Sequence, residues 1–191
     1  CTTNCLAPVL DVLDKTFGVE RGFMTTVHAY TNDQSILDIA HKKGHMARRG
    51  RAGAANIVPS STGAATAIGL VLPQLKGKLA GGALRVPTTT GSVVDLTLKL
   101  KKNVTVEEIN EAFTKNQNET IKITFDPIVS SDVIGTHEGA IVDGLSTVVL
   151  DDNGEQLVKV LAWYDNEMGY SSQMVRVAEY LGRKEKKKDL L

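Results

Sequence analysis

Apolar residues recur along this chain at two spacings, and the change from one to the other divides it into elements. Leu6, Val9, Leu10, Leu13 and Phe17 fall at helical intervals behind the run Cys1-Thr2-Thr3-Asn4-Cys5, and Gly18 stops the pattern. Thr2, Thr3 and Asn4 are capping residue types, so Cys1 sits at or just before the cap. Pro8 is expected early enough that its missing N–H costs least. Residues 22–30 are rich in Thr, Val, Phe and Tyr and predict a strand. Residues 31–61 show no steady period, and a compact domain keeps so long a loop only for a function or an interface. An apolar helix is expected over 64–72, closed by Pro73.

Strand composition returns over 83–100, where Val94, Leu96, Leu98 and Leu100 alternate with Asp95, Thr97 and Lys99 to give one buried and one wet face. Thr105 and Glu108 form a capping box for a helix to about 116, with Val106, Ile109 and Phe113 inward. Residues 141–150 and 156–164 predict two strands joined by the hairpin turn Asp151-Asp152-Asn153-Gly154. A last amphipathic helix carries Met174, Val175, Ala178 and Leu181 and is expected to be capped at Gly182, leaving 183–191 as a charged tail. Hairpins and adjacent strands outnumber alternating strand–helix units. The expected fold is therefore α+β, a mostly antiparallel mixed sheet with helices on one face, in one domain over 1–182.

Composition narrows the function classes without choosing one. The chain has 191 residues, 42% of them hydrophobic and 23% charged, which suits one globular domain with a real core. Basic and acidic residues number 22 each, so no global charge favours nucleic acid or an acidic membrane surface. No apolar run approaches a membrane span, and two cysteines cannot build a disulfide framework, which leans toward a reducing, cytoplasmic setting. A helix cap with nothing before it suggests a piece of a longer protein.

Cys1 at a helix start is placed for thiolate chemistry, since the free N–H groups there favour a negative sulfur; a structural cysteine is the bland alternative. His28 ends the first strand, where an imidazole can accept and return a thiol proton, or simply be a satisfied strand histidine. Ser60-Ser61-Thr62-Gly63 at a helix start offers hydroxyls and N–H groups to an anion, as any N-cap would. Arg48, Arg49 and Arg51 precede it and Arg85 follows, and guanidinium forks read phosphate well. An interface or surface cluster is the alternative for the first three. The histidines His28, His41, His45 and His137 are scattered without metal-ligand spacing, so no metal is expected. There is no G-x-G-x-x-G after a strand.

Six separated segments, in order, resemble the phosphorylating glyceraldehyde-3-phosphate dehydrogenase family: Cys1–Cys5, Thr26-Val27-His28-Ala29-Tyr30-Thr31, Arg48-Arg49-x-Arg51, Ser61-Thr62-Gly63-Ala64-Ala65, Leu84-Arg85-Val86-Pro87 and Trp163 through Tyr170. What they resemble is the C-terminal catalytic domain; the family's N-terminal Rossmann domain has no counterpart in this sequence. The resemblance implies oxidation and phosphorylation of glyceraldehyde 3-phosphate with NAD through a cysteine thioester. It makes Cys1 the nucleophile and His28 the base. Thr31 and Arg85 would hold the substrate phosphate, and Thr2, Arg49, Thr62 and Gly63 the attacking inorganic phosphate. Asn166 would orient the nicotinamide carboxamide with Tyr170 close by. It further implies a homotetramer with the segment from Thr31 to about Ala55 at its centre. Against the family's usual arginine cluster, His45-Met46-Ala47-Arg48-Arg49-Gly50-Arg51-Ala52-Gly53 has two extra glycines and lacks an acid. The chain alone is expected to be inactive, and the other class of function considered is a non-catalytic fragment that self-associates or binds a partner.

Overall fold

The computed structural model describes residues 1–42, 44 and 47–188, with the side chains of 185–188 not described; His45, Met46 and the last three residues of the tail lie outside it. Helix α1 spans Thr2–Phe17 and buries Cys5, Leu6, Val9, Leu10, Val12 and Leu13. Its N-cap is Cys1, whose side chain makes no capping bond, and the three polar residues behind it are already helical. Pro8 lies well inside the helix rather than in its first turn. There it removes the bond that would reach the carbonyl of Asn4. Gly18, at φ 74°, ends the helix with its N–H on Asp14.

The strands are β1 (Val19–Ala29), β2 (Val58–Ser60), β3 (Leu79–Val86), β4 (Ser92–Leu100), β5 (Ile121–Thr124), β6 (Ala140–Asp143), β7 (Val148–Asp152) and β8 (Glu155–Tyr164). They form one sheet in the order β2-β3-β1-β4-β8-β6-β5, with β7 also on β8. β1–β3 and β5–β6 are parallel and the other pairs antiparallel, so the expected α+β mixed sheet is present. Two expected strands are broken. The segment 87–91, from Pro87 to Gly91 at φ 89°, splits 83–100 into β3 and β4, and a 3-10 turn at Gly144–Ser146 splits 141–150 into β6 and β7. Asp143 holds that second break, accepting from the Ser146 N–H and from Trp163 Nε1. The expected turn is present, with Asn153 and Gly154 at φ 52° and 87°, as a two-residue hairpin requires.

One face of the sheet is the core. Val94, Leu96, Leu98, Val158, Val160 and Ala162 are fully buried against α1, α2 (Ala64–Val71) and α3 (Val106–Lys115). The capping box of α3 is complete, with Thr105 and Glu108 each bonded to the other's backbone N–H. Helix α4 (Met168–Lys188) departs from expectation in two ways. It runs through Gly182 instead of stopping there, and Met174, Val175 and Leu181 are 58%, 55% and 56% exposed. Nothing among the described residues covers that stripe. No helix among the described residues is long and apolar enough to cross a membrane.

Candidate active site

β1 delivers His28 at its end, on the buried face shared with Met24 and Thr26. α1 crosses that face and delivers Cys1 at its start. The two meet: Cys1 Sγ lies 3.2 Å from His28 Nε2. His28 Nδ1 is 2.7 Å from the Ala29 carbonyl. A carbonyl only accepts, so Nδ1 carries the ring proton and Nε2 presents a lone pair to the thiol. Burial pushes the His28 pKa down, opposed by the bond to Ala29, and Arg85 and Arg49 push it further down. The imidazole is therefore neutral near pH 7 and able to take a proton. Cys5, one turn on, is fully buried with its thiol 3.6 Å from the Ala162 carbonyl, and burial raises its pKa steeply. The two cysteines are free, and only Cys1 is exposed.

A cavity of about 420 Å³ opens over the pair, and Thr2, Arg49, Thr62, Gly63 and Arg85 line it with them. Gly63 is the N-cap of α2, and Thr62 Oγ1 accepts from the Ala64 N–H at 3.2 Å, which leaves the hydroxyl proton to give. Arg49 comes from a 3-10 turn, Arg48–Gly50, in the long loop. Arg85 comes from β3, paired in register with His28 on β1. Two arginines from distant segments thus face one small space, together with hydroxyls and a helix start, as an anion site needs. Thr31 sits just behind, accepting from Arg85 Nη1 at 2.5 Å. Thr2 is 8% exposed, and its hydroxyl lies 2.8 Å from that of Tyr164.

Asn166 does not line the cavity but is linked to the strand of His28 through Ser92. Its Oδ1 accepts from Gly91 N–H, Ser92 Oγ and Thr90 Oγ1 at 3.1, 3.1 and 3.3 Å. Ser92 Oγ in turn accepts from the N–H of Ala29, next to His28. Asn166 Nδ2 makes no hydrogen bond among the described residues, so what it offers is a donor. Its neighbour Asp165 fixes it, accepting from the N–H groups of Gly135, Glu167 and Met168. Burial would raise the Asp165 pKa, but those bonds and Thr90 outweigh it and hold it down. Tyr170 is 52% exposed on α4 and does not line the cavity.

Two residues of consequence were not singled out in the sequence reading. Asp33 stands between the arginines, 2.5 Å from Arg49 Nη1 and 3.7 Å from Arg85 Nη1, and accepts from Thr31 Oγ1 at 2.7 Å. A carboxylate two residues after Thr31, in a chain with an arginine cluster downstream, was the available hint. Tyr164 lies between Thr2 and Thr26, and the inward parity of β8 and its place in the Trp163–Tyr170 motif pointed to it. Among the described residues no group of three or more His, Cys, Asp or Glu is placed to hold a metal ion.

Comparison with known proteins completes the description. The family model described as "Glyceraldehyde 3-phosphate dehydrogenase, C-terminal domain" matches residues 1–166. The chain is 56% identical over 183 residues to a glyceraldehyde-3-phosphate dehydrogenase of Streptococcus pyogenes, covering 96% of the chain and 54% of that protein. Over the same coverage it is 57% identical to the enzyme so named from Clostridium pasteurianum and 55% to that from Streptococcus dysgalactiae subsp. equisimilis. The chain spans about half the length of the curated relatives it matches.

Proposed function

Because this chain belongs to the glyceraldehyde 3-phosphate dehydrogenase family, as its C-terminal domain, we propose that it is the catalytic half of a protein that oxidises and phosphorylates D-glyceraldehyde 3-phosphate to 1,3-bisphosphoglycerate with NAD. The observation that carries this reading is the 3.2 Å contact between Cys1 Sγ and a His28 Nε2 whose other nitrogen is committed to a carbonyl. Residues 1–182 are the catalytic unit, 183–191 a charged extension whose first six residues continue α4, and the dinucleotide-binding domain lies outside this chain. The protein acts in the cytoplasm as a homotetramer.

His28 Nε2 takes the Cys1 proton, and the thiolate attacks the aldehyde carbon, forming a C–S bond while that proton passes to the carbonyl oxygen. His28 then removes the proton from the same oxygen as hydride leaves the carbon, giving a thioester. NAD, when bound, supplies the acceptor for that hydride. The residues present fit one edge of its nicotinamide: Asn166 has three donors on Oδ1 and an uncommitted Nδ2 that can hold the carboxamide oxygen, with Tyr170 four residues on. Inorganic phosphate, held by Thr2, Arg49, Thr62 and Gly63, attacks the thioester carbon; the C–S bond breaks and its electron pair returns to Cys1. Thr31 and Arg85 hold the substrate's own phosphate.

The test uses the full-length protein that carries this chain, with the triose phosphate, NAD and phosphate, following NADH. Cys1→Ser should abolish turnover. Arg85→Ala should raise KM for the triose phosphate, at a cost of about 1.5–3 kcal/mol for a lost charge-assisted contact, whereas Thr62→Ala should chiefly slow phosphorolysis. Turnover that survives Cys1→Ser overturns the reading. The 191-residue chain alone should form almost no NADH, since positioning of the nicotinamide can be worth several kcal/mol of the barrier.

A further inference from the structure

We infer that Tyr164 is a positioning residue whose hydroxyl clamps the start of α1 to β1 and thereby sets the approach of Cys1 to His28. The inference rests on the reading of those two residues as an active pair.

Tyr164 ends β8 and is 1% exposed. Its hydroxyl lies 2.8 Å from Thr2 Oγ1 and 2.8 Å from Thr26 Oγ1. Thr2 follows Cys1 directly. Thr26 precedes His28 by two residues, so the pleat puts both side chains on one face, and they are 1% and 4% exposed. The Tyr164 ring also meets the His28 ring edge-on, with centroids 6.0 Å apart and planes at 68°. One side chain therefore touches the neighbour of the nucleophile, the neighbour of the base, and the base itself.

Within this chain, little else ties down the start of α1. Cys1 is the N-cap but makes no side-chain capping bond, and the first turn has no acidic residue to interact with the helix dipole. The bond from Thr2 to Tyr164 ties that first turn to the sheet at the level of the reacting sulfur. Cys5 supplies a weaker tie one turn on, at Ala162 of the same strand. A hydrogen bond between Sγ and Nε2 loses strength steeply with a few tenths of an ångström or with misalignment. A clamp on both carriers is thus a control on proton transfer, not merely on packing.

Tyr164→Phe tests this in the 191-residue chain. It keeps the ring and its edge contact and removes only the hydroxyl. The readout is the rate of Cys1 alkylation by iodoacetamide across pH 5–10, followed by mass spectrometry, with Cys5 as the buried control. Arg49, Arg85 and the terminal ammonium, the other charges facing His28, are unaltered. The expected result is alkylation about three- to tenfold slower at neutral pH, the factor a single hydrogen bond is worth, with the midpoint of the profile moved to higher pH and Cys5 still protected. An unchanged profile in folded protein overturns the inference. So does a slower Cys1 accompanied by a reactive Cys5, which would mean general loosening. If Tyr164→Phe does not fold, Thr26→Val removes the other half of the clamp and should give the same shift; an unshifted profile there is equally fatal. His28→Asn separates the two levels. If it leaves the profile unchanged, the active-pair reading has failed and the clamp with it; if it alone shifts the profile, only the clamp has failed.

Discussion

Asp33→Asn perturbs the one carboxylate placed between the two arginines of the site. In the native chain Asp33 accepts from Arg49 Nη1 at 2.5 Å and from Thr31 Oγ1 at 2.7 Å, and lies 3.7 Å from Arg85 Nη1. Asparagine keeps one acceptor but turns a donor toward a guanidinium and removes the negative charge that both arginines share among the described residues. The side chains of Asp33, Arg49 and Arg85 are 30%, 22% and 12% exposed, between a surface pair, worth about 0.2–1 kcal/mol, and a buried charge-assisted bond, worth up to about 3. The expected loss is therefore about 1–2 kcal/mol at neutral pH. Burial would raise the Asp33 pKa, but the bonds from Thr31 and Arg49 and the charges of Arg49 and Arg85 outweigh it and hold the group at about 2. An unfolded aspartate titrates near about 3.9. A folded pKa below the unfolded one gives stability that is present above about pH 4 and is lost as pH falls toward 2. The gap between wild type and Asp33→Asn should be widest near pH 7 and close by about pH 2. Urea unfolding read by the single tryptophan, Trp163 on β8, measures it. Inorganic phosphate should narrow the gap at pH 7, because an anion between the arginines replaces the lost charge and stabilises by mass action. A gap that is the same at pH 2.5 and pH 7, or a loss below about 0.3 kcal/mol at pH 7, refutes the shared counter-ion.

Gly91→Ala should destabilise by about 2 kcal/mol or more in the same assay, since residue 91 is at φ 89° and a Cβ there would stand 2.3 Å from the Ser130 carbonyl; because the Gly91 N–H donates to Asn166, it should also weaken nicotinamide binding in the full-length protein. Leu10→Ala, at a fully buried position of α1, should cost about 2–5 kcal/mol by urea unfolding, with an unchanged Cys1 alkylation profile in the folded fraction.

The elements with a local cause were legible in the sequence. α1, α3 and the β7–β8 hairpin each carry their own instructions: a 3.6-residue apolar repeat, a reciprocal cap, and an Asn-Gly pair able to take positive φ. The motifs that imply roles for Cys1, His28, Arg49, Thr62 and Arg85 were legible too, because they are contiguous and lie in order. Breaks inside strands were harder. Gly144–Ser146 interrupts a run of strand-forming residues because Asp143 is engaged by Trp163 from the neighbouring strand, and no local spacing announces that. β5 is only four residues long and gains its partner from β6.

The periodicities, caps and turn residues of this chain were enough to dictate an α+β domain, and its motifs enough to single out the candidate groups, since both depend on neighbours a few residues apart. The meeting of those groups depends on something else. Cys1 and His28 are 27 residues apart, Asp33 and Arg85 are 52 apart, and Tyr164 is 162 from Thr2; only the crossing of α1 over β1 and the register of β3 and β8 bring them within bonding distance. Gly182 makes the same point in reverse. As a residue type it reads as a helix stop, yet α4 continues through it, because one glycine costs a helix only about 1 kcal/mol and its neighbours on either side are good helix formers.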